Sequence, residues 1–257
     1  MQLDLDHDLD DAAARERLTT QGFATLTAPA LAGLVGTAAL PELAACWDDL
    51  PADGYLRDGG RYRSRRHGCA IVHLAGGIGR VEPVPPRAHY QSTTYNALHG
   101  GIERWFAPLA EPMVHHPAWR ELLVHLARTF AGVRRPVEDR FYVEAHPFRI
   151  DTEGGVGRPT PEGAHRDGVD FVAVILVARE AIRGGETRVF EADGPAGVRF
   201  TLREPWSAIL IDDTRVIHES TPIVPTDARR SHRDTLVLTF RSGGFQEPGD
   251  QATAFDG

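Results

Sequence analysis

A chain of 257 residues, 42% hydrophobic and 25% charged, can bury a large core without disulfide staples. Its formal net charge is −8, and its basic residues form only short clusters such as Arg61-Arg63-Arg65-Arg66 and Arg229-Arg230. This argues against a nucleic-acid partner, but not against one buried arginine taking a small anion. Cys46 and Cys69 share neither a metal-type nor a redox spacing and read as reduced thiols. The acidic start MQLDLDHDLDD has no basic region or apolar stretch of a signal peptide. The longest apolar run, Phe171–Ala178, is far too short to span a bilayer. The expectation is a cytoplasmic protein with no membrane partner; its oligomeric state is not legible.

In chain order, Asp10–Thr20 reads as a short helix with aspartates at its start and Gly22 as its stop. The Ala/Leu-rich stretch Leu31–Leu50 predicts one or two helices divided near Pro41, and Thr94–Phe106 predicts a weaker one interrupted by Gly100-Gly101. Pro117–Ala131 carries Trp119, Leu122, Leu123, Leu126 and Phe130 at helical spacing, with Gly132 as its end. Beyond Gly132 the pattern changes to short Val/Ile/Phe/Thr runs separated by Gly, Pro and Asp. Strands are predicted near Arg140–Arg149, Val169–Ala178, Thr187–Glu191, Val198–Leu202, Ala208–Asp212, Val216–Thr221 and Thr235–Arg241, with Gly184-Gly185-Glu186 as a hairpin turn and an irregular tail after Gly243. Such a series suggests a β-sandwich or barrel, with helices of the first half covering one outer face. Asp151–Ala164 is a Gly/Pro-rich loop that either lines a site or merely connects strands.

The chemistry concentrates at His165-Arg166-Asp167, which opens the strand leading to Ala178. In an extended segment, residues two apart share a face, so His165 and Asp167 can converge on one ion. His218, within Arg215–Ser220, stands at a plausible return distance to supply a third ligand. Two imidazoles and one carboxylate on one face of an octahedron leave positions open for oxygen and a chelating co-substrate, which suits iron(II). The triplet alone decides nothing. With 12 His and 36 acidic residues in 257, chance supplies roughly as many His-x-acid triplets as the two present, His165-x-Asp167 and His232-x-Asp234. Setting separates them: His232 has no later histidine, and Arg229, Arg230 and Arg233 around it repel a cation. The alternative for His165 and Asp167 is a solvated loop pair.

Arg233 and Thr235 alternate onto one face of the strand that ends at Arg241. An arginine fork with a hydroxyl beside it can clamp the distal carboxylate of an α-keto diacid; the alternative is a surface arginine at a strand start. No HExxH, GxSxG or phosphate-binding loop is present, which disfavours zinc-protease, serine-hydrolase and nucleotide chemistry. The scattered histidines His67, His73, His89, His99 and His146 and those near Pro117 receive no role.

The order His165-x-Asp167, His218, Arg233-x-Thr235 resembles the 2-oxoglutarate/iron(II)-dependent dioxygenases, whose fold is a double-stranded β-helix, or jelly roll. The run from Thr160 to Phe171, Arg183–Thr187, Asp212-Asp213 before His218, and Asp234–Arg241 narrow the resemblance. They are similar to the bacterial family that includes free L-isoleucine and related amino-acid hydroxylases, over roughly residues 60 to 242. The resemblance implies one oxygenase domain over residues 1–257, helix-rich to about 135, with its β-helix core over about 136–243. It implies Fe(II) on His165, Asp167 and His218, and 2-oxoglutarate held by Arg233, Thr235 and Tyr142. It implies O2-dependent hydroxylation of an aliphatic carbon, with succinate and CO2 released. A free amino acid as the small-molecule substrate needs a cation and an acceptor. Arg149 and Glu144 are the candidates, beside Tyr142 and His146 on a strand that is alternatively an outward-facing polar surface. Arg61, Arg63 and Arg65 are a second cation source or a solvated strand face. The competing readings are the same chemistry on a carrier-bound or natural-product intermediate, and a jelly-roll metal-binding or sensor protein without turnover.

Overall fold

A computed structural model describes residues 9–96, 98–227 and 230–249. Residues 1–8 and Arg229, singled out above for their charge, lie outside the described residues. Helix α1 spans Asp11–Gln21; the Asp10 carboxylate accepts the Ala13 N–H, and Gly22 ends the helix at φ +81°. A Cβ on Gly22 would also stand 2.7 Å from Val216 Cγ1, so glycine is required there twice over. Strand β1 (Phe23–Leu26) follows, then α2 (Ala28–Val35), capped by Thr27 with proline in its first turn. A 3-10 segment runs Leu40–Trp47 with Pro41 in its first turn. The predicted division near Pro41 is therefore present, but the first helix starts at Ala28 rather than Leu31 because Thr27 supplies the cap.

Strands β2 (Arg63–Arg65), β3 (Gly68–His73) and β4 (Arg80–Pro83) lie in the half expected to be helical. β2 falls in the alternating Arg61-Arg63-Arg65 run, while β3 and β4 are short and lack clean alternation, so little in their own sequence competes with the surrounding helical pattern. Among the described residues of Thr94–Phe106 there is no helix; they hold turns and an isolated bridge from His89 to Arg104. After α3 (Glu111–Val114), helix α4 runs Pro117–Val133. Gly132 does not stop it. A Cβ there would meet the Arg15 guanidinium near 2.5 Å, so this glycine serves the approach of α1, and the helix ends ahead of Pro136.

The second half supplies β5 (Arg140–Asp151), β6 (Phe171–Glu180), β7 (Ile182–Gly184), β8 (Thr187–Glu191), β9 (Gly197–Phe200), β10 (Ala208–Asp212), β11 (Val216–Ser220), β12 (Ile223–Pro225) and β13 (His232–Arg241). The major sheet has the order β1-β10-β6-β13-β5-β3-β4, with β2 also paired to β5. The opposing strands form two small sheets, β11-β8-β9 and β12-β7. Gly184 and Gly185 do not turn a hairpin. β7 pairs with β12 and β8 with β11 and β9, so the two glycines, both at positive φ, form a corner between sheets. The result is the expected jelly roll, mainly β, with helices packed on one sheet.

Strand parity sorts the core. Phe171, Ala173, Ile175 and Val177 of β6, Leu236, Leu238 and Phe240 of β13, and Phe141, Val143 and Ala145 of β5 face α1, α2 and α4. Val172 and Leu176 point the other way, into the space between the sheets, with Val189, Ile209 and Val216. Phe130 of α4 stacks on Phe171 at 4.6 Å between ring centres and meets Phe240 edge-on at 4.9 Å. Among the described residues no single helix is long and apolar enough to cross a membrane.

Phe130 is fully buried where helix layer and sheet meet. Phe130→Ala is expected to lower the unfolding free energy by about 3–5 kcal/mol, read as a reduced urea midpoint without a change in slope.

Candidate active site

The even-numbered residues of β5 and the odd-numbered residues of β13 form the inner floor of the major sheet. Register places Arg63, Ile150 and Arg233 in one row across β2, β5 and β13. The next row holds Arg65, Phe148 and Thr235. His146 then stands beside Val237, Glu144 beside Thr239 and Tyr142 beside Arg241. All of these line one cavity, together with His165, Asp167 and His218 from the opposite side.

The loop after β5 is not a mere connector. Gly157 bridges Ile223, the Thr160 hydroxyl donates to Ser220 O and accepts the Ser220 N–H, and His165 bridges His218. The loop thus runs antiparallel to β11 and β12 and carries Thr160, Glu162, His165 and Asp167 into the cavity wall. In the last bridge each histidine N–H donates to the other's carbonyl, both at 3.0 Å.

Chelating atoms of His165, Asp167 and His218 all lie within 4.8 Å of one another. Each histidine Nε2 is 3.6 Å from an Asp167 oxygen, too far for a good hydrogen bond. His165 Nδ1 donates to Gly163 O at 3.0 Å, which leaves its Nε2 lone pair facing the centre. The Gln91 amide donates to Asp167 Oδ1 at 3.1 Å. Burial lowers the basicity of His165, but Asp167, Glu162 and the Gly163 carbonyl outweigh it and raise the imidazole to about 10. Burial, reinforced by His165, brings His218 down to about 4. Without a cation the buried Asp167 carboxylate draws a proton onto His165; a ferrous ion would replace that proton, its donors then being two neutral imidazole nitrogens and a carboxylate. Asp213, absent from the sequence-level site set, holds this geometry. Its fully buried carboxylate accepts the N–H groups of Asp167, Gly168 and Val169 at 3.0, 2.7 and 3.1 Å.

Arg233 is buried, and neither its Nε nor its Nη2 has a hydrogen-bond partner among the described residues. Thr235 lies on the same face one row on. Both fit the distal carboxylate of a keto diacid. Tyr142 does not join them. It sits opposite Arg241, eight positions along the ladder from the Arg233 row, about 26 Å at the usual strand rise. Arg149 has the opposite parity to Glu144 and is absent from the cavity lining. It forms a fork with its cross-strand partner Asp234 at 2.8 and 2.6 Å, which also accounts for the His232-x-Asp234 triplet. Glu144 does face the cavity, but its Oε2 already accepts His67 Nε2–H at 3.0 Å and His89 Nδ1–H at 2.6 Å. Arg65 donates to His146 Nδ1 at 2.6 Å. His67, His89, Glu144 and His146 are close enough to chelate, yet the two imidazole nitrogens that face Glu144 carry protons in these bonds, and Arg65 brings a positive charge against His146. Arg63 and Arg65 are buried, not a solvated face.

Asp213→Ala is expected to strip three buried amides of their acceptor and weaken ferrous-ion affinity about 10- to 100-fold, measured by anaerobic calorimetry, with Asp213→Asn falling between.

The comparisons with known proteins agree with this geometry. The chain matches the 2OG-Fe dioxygenase family over residues 44–239. It is similar to a bsmA homolog from Methylobium petroleophilum PM1, with 58% identity over 96% of this chain and 99% of that one, TM-score 0.91. IDO from Bacillus thuringiensis shares the fold at 14% identity, covering 95% of this chain and 100% of that one, TM-score 0.72. So does the Fe(II)/α-ketoglutarate-dependent dioxygenase TqaL at 19% identity, covering 90% and 87%, TM-score 0.67. Among curated proteins none matches the chain in sequence. By the extent of the family match and the identity to its bacterial relative, the chain belongs to the 2OG-Fe dioxygenase family.

Proposed function

We propose that this dioxygenase hydroxylates an aliphatic carbon of a free L-amino acid, consuming O2 and 2-oxoglutarate and releasing succinate and CO2. The carrying observation is one cavity in which three chelating side chains face a buried, underused arginine: His165, Asp167 and His218 on one side, Arg233 on the other. The three ligands would hold the iron of the family, and the bound metal supplies the power to decarboxylate the keto acid and oxidise a C–H bond.

The protein's own part is positioning. Gly163 and Gln91 orient His165 and Asp167 through hydrogen bonds. Arg233 anchors the far carboxylate of 2-oxoglutarate, and the neighbouring Thr235 hydroxyl assists. Val174 and Val237 on the cavity floor keep water from the space between. The fold of the TqaL dioxygenase supports the co-substrate, while the amino-acid substrate rests on the resemblance around His165 and on the charges of the cavity. The whole chain, residues 1–257, is read as a single oxygenase domain acting in the cytoplasm.

The test is a mass screen of the free L-amino acids with iron, 2-oxoglutarate and oxygen. One or more should gain an oxygen atom with matching succinate release. His165→Ala and Asp167→Ala should abolish both, and full iron-dependent activity in either variant would refute the ligand assignment. Arg233→Gln should raise the 2-oxoglutarate concentration for half-maximal rate about 10- to 100-fold, since hydrogen bonds to a charged group contribute about 1.5–3 kcal/mol.

A further inference from the structure

Several charged groups in the cavity remain once the iron ligands and Arg233 are assigned. Arg63, Arg65 and Arg104 line the same space and are 6, 3 and 2% exposed. Burying three guanidiniums together is costly unless each finds an anion. Asp53 takes the Arg63 Nε–H at 2.7 Å and lies 4.0 Å from Arg65. The second carboxylate acting on Arg65 is Glu144, already shared by two imidazoles. Glu162 is a third carboxylate, acting on Arg104, so the charges nearly balance while the guanidinium donors stay underused. Arg63 Nη2, Arg65 Nε and Arg104 Nε have no hydrogen-bond partner among the described residues. Burial and then Arg63 lower both Arg65 and Arg104, the latter to about 10; Arg104 stays charged at neutral pH.

These groups are held in place. The Arg65 guanidinium lies between the Phe106 and Phe148 rings, 3.9 and 4.3 Å from their centres. Arg104 donates to Gln91 Oε1 at 3.1 Å, and Gln91 in turn donates to Asp167. Arg104 therefore sits one side chain away from the metal centre. Beside that centre is an opposite charge without a full complement of partners. Glu162 Oε1 is 3.6 Å from His165 Nε2, while its buried Oε2 has no partner among the described residues. Glu162 also acts electrostatically on Arg104.

We infer that these residues form a zwitterion subsite: Arg65 and Arg104 take the substrate's α-carboxylate, and Glu162 takes its α-ammonium. Unused guanidinium donors beside an unused carboxylate oxygen fit a zwitterion rather than a dianionic phosphate, which Glu162 would repel. The inference rests on the amino-acid reading above and adds the residues that impose it. Glu144 and Arg149 are excluded because other side chains already occupy them.

The test titrates the iron- and 2-oxoglutarate-loaded protein under nitrogen with each proteinogenic L-amino acid, followed by calorimetry. For any that binds, the primary amide and the N-acetyl derivative are compared. Each derivative should bind about tenfold or more weakly, the scale of one lost charge-assisted hydrogen bond. Arg65→Gln and Arg104→Gln should collapse the preference for acid over amide, and Arg104→Lys should keep much of it. Glu162→Gln should collapse the preference for the free amine over the N-acetyl form. A ratio of two ligands on one variant is insensitive to a general loss of folded protein. If the acid preference survives both arginine substitutions, the subsite is wrong and the amino-acid reading stands. If only carboxylic acids lacking the amine bind, and Arg104→Gln abolishes it, the amino-acid reading and the role of Glu162 both fall. If neither set binds, the subsite is overturned outright.

Discussion

Two backbone hydrogen bonds between His165 and His218 hold the chemistry of this protein together. They fasten an irregular loop to β11 at the point where both chelating imidazoles emerge. Because the bond is between main chains, the spacing of the two side chains is set by strand geometry rather than by rotamers alone. Asp213 completes the arrangement from the other direction. It accepts three consecutive amides just past His165 and so fixes the turn that aims Asp167. An acidic group placed so close to a ligand carboxylate stays buried because three N–H donors surround it.

The rest of the fold serves to keep that bridge aligned. One face of β5, β6 and β13 is sealed by α1, α2 and α4 through aromatic and aliphatic packing. This makes the sheet rigid and leaves its other face free to carry polar side chains. Trp47 adds a tie across it, its indole N–H shared between the carbonyls of Phe148 and Thr235. The polar face tolerates burial because its groups satisfy one another: Glu144 gathers His67 and His89, and Arg65 caps His146. Against that background the Arg233, Arg65 and Arg104 nitrogens without partners among the described residues stand out, and the proposed ligand contacts rest on them.

Parity explains most differences between expectation and outcome. The alternation Tyr142, Glu144, His146 against Phe141, Val143, Ala145 is legible in the sequence and is present in β5. The same rule separates Arg149 from Glu144, and the fork with Asp234 removes Arg149 from the cavity. Tyr142 shares the correct face but lies too far along the strand from Arg233. Face is a local property of two residues; distance along a ladder needs the register. Gly132 and Gly184 show the same limit. Glycine marks both positions, but its reason, close packing at one and a corner between sheets at the other, belongs to neighbours far away in sequence.

By itself the sequence determined a β-sandwich or barrel with most strands of the second half, because alternation and turn residues are local signals. The one distinctive run around His165 carried the resemblance that implied the jelly roll and the His165, Asp167 and His218 cluster. It could not determine β2 to β4 as part of the major sheet, the loop's course beside β11, or the arrival of Gln91, Arg104 and Glu162 at the metal centre. Those depend on pairing between segments far apart in the chain, where burial and charge are shared across strands and no single segment carries the pattern.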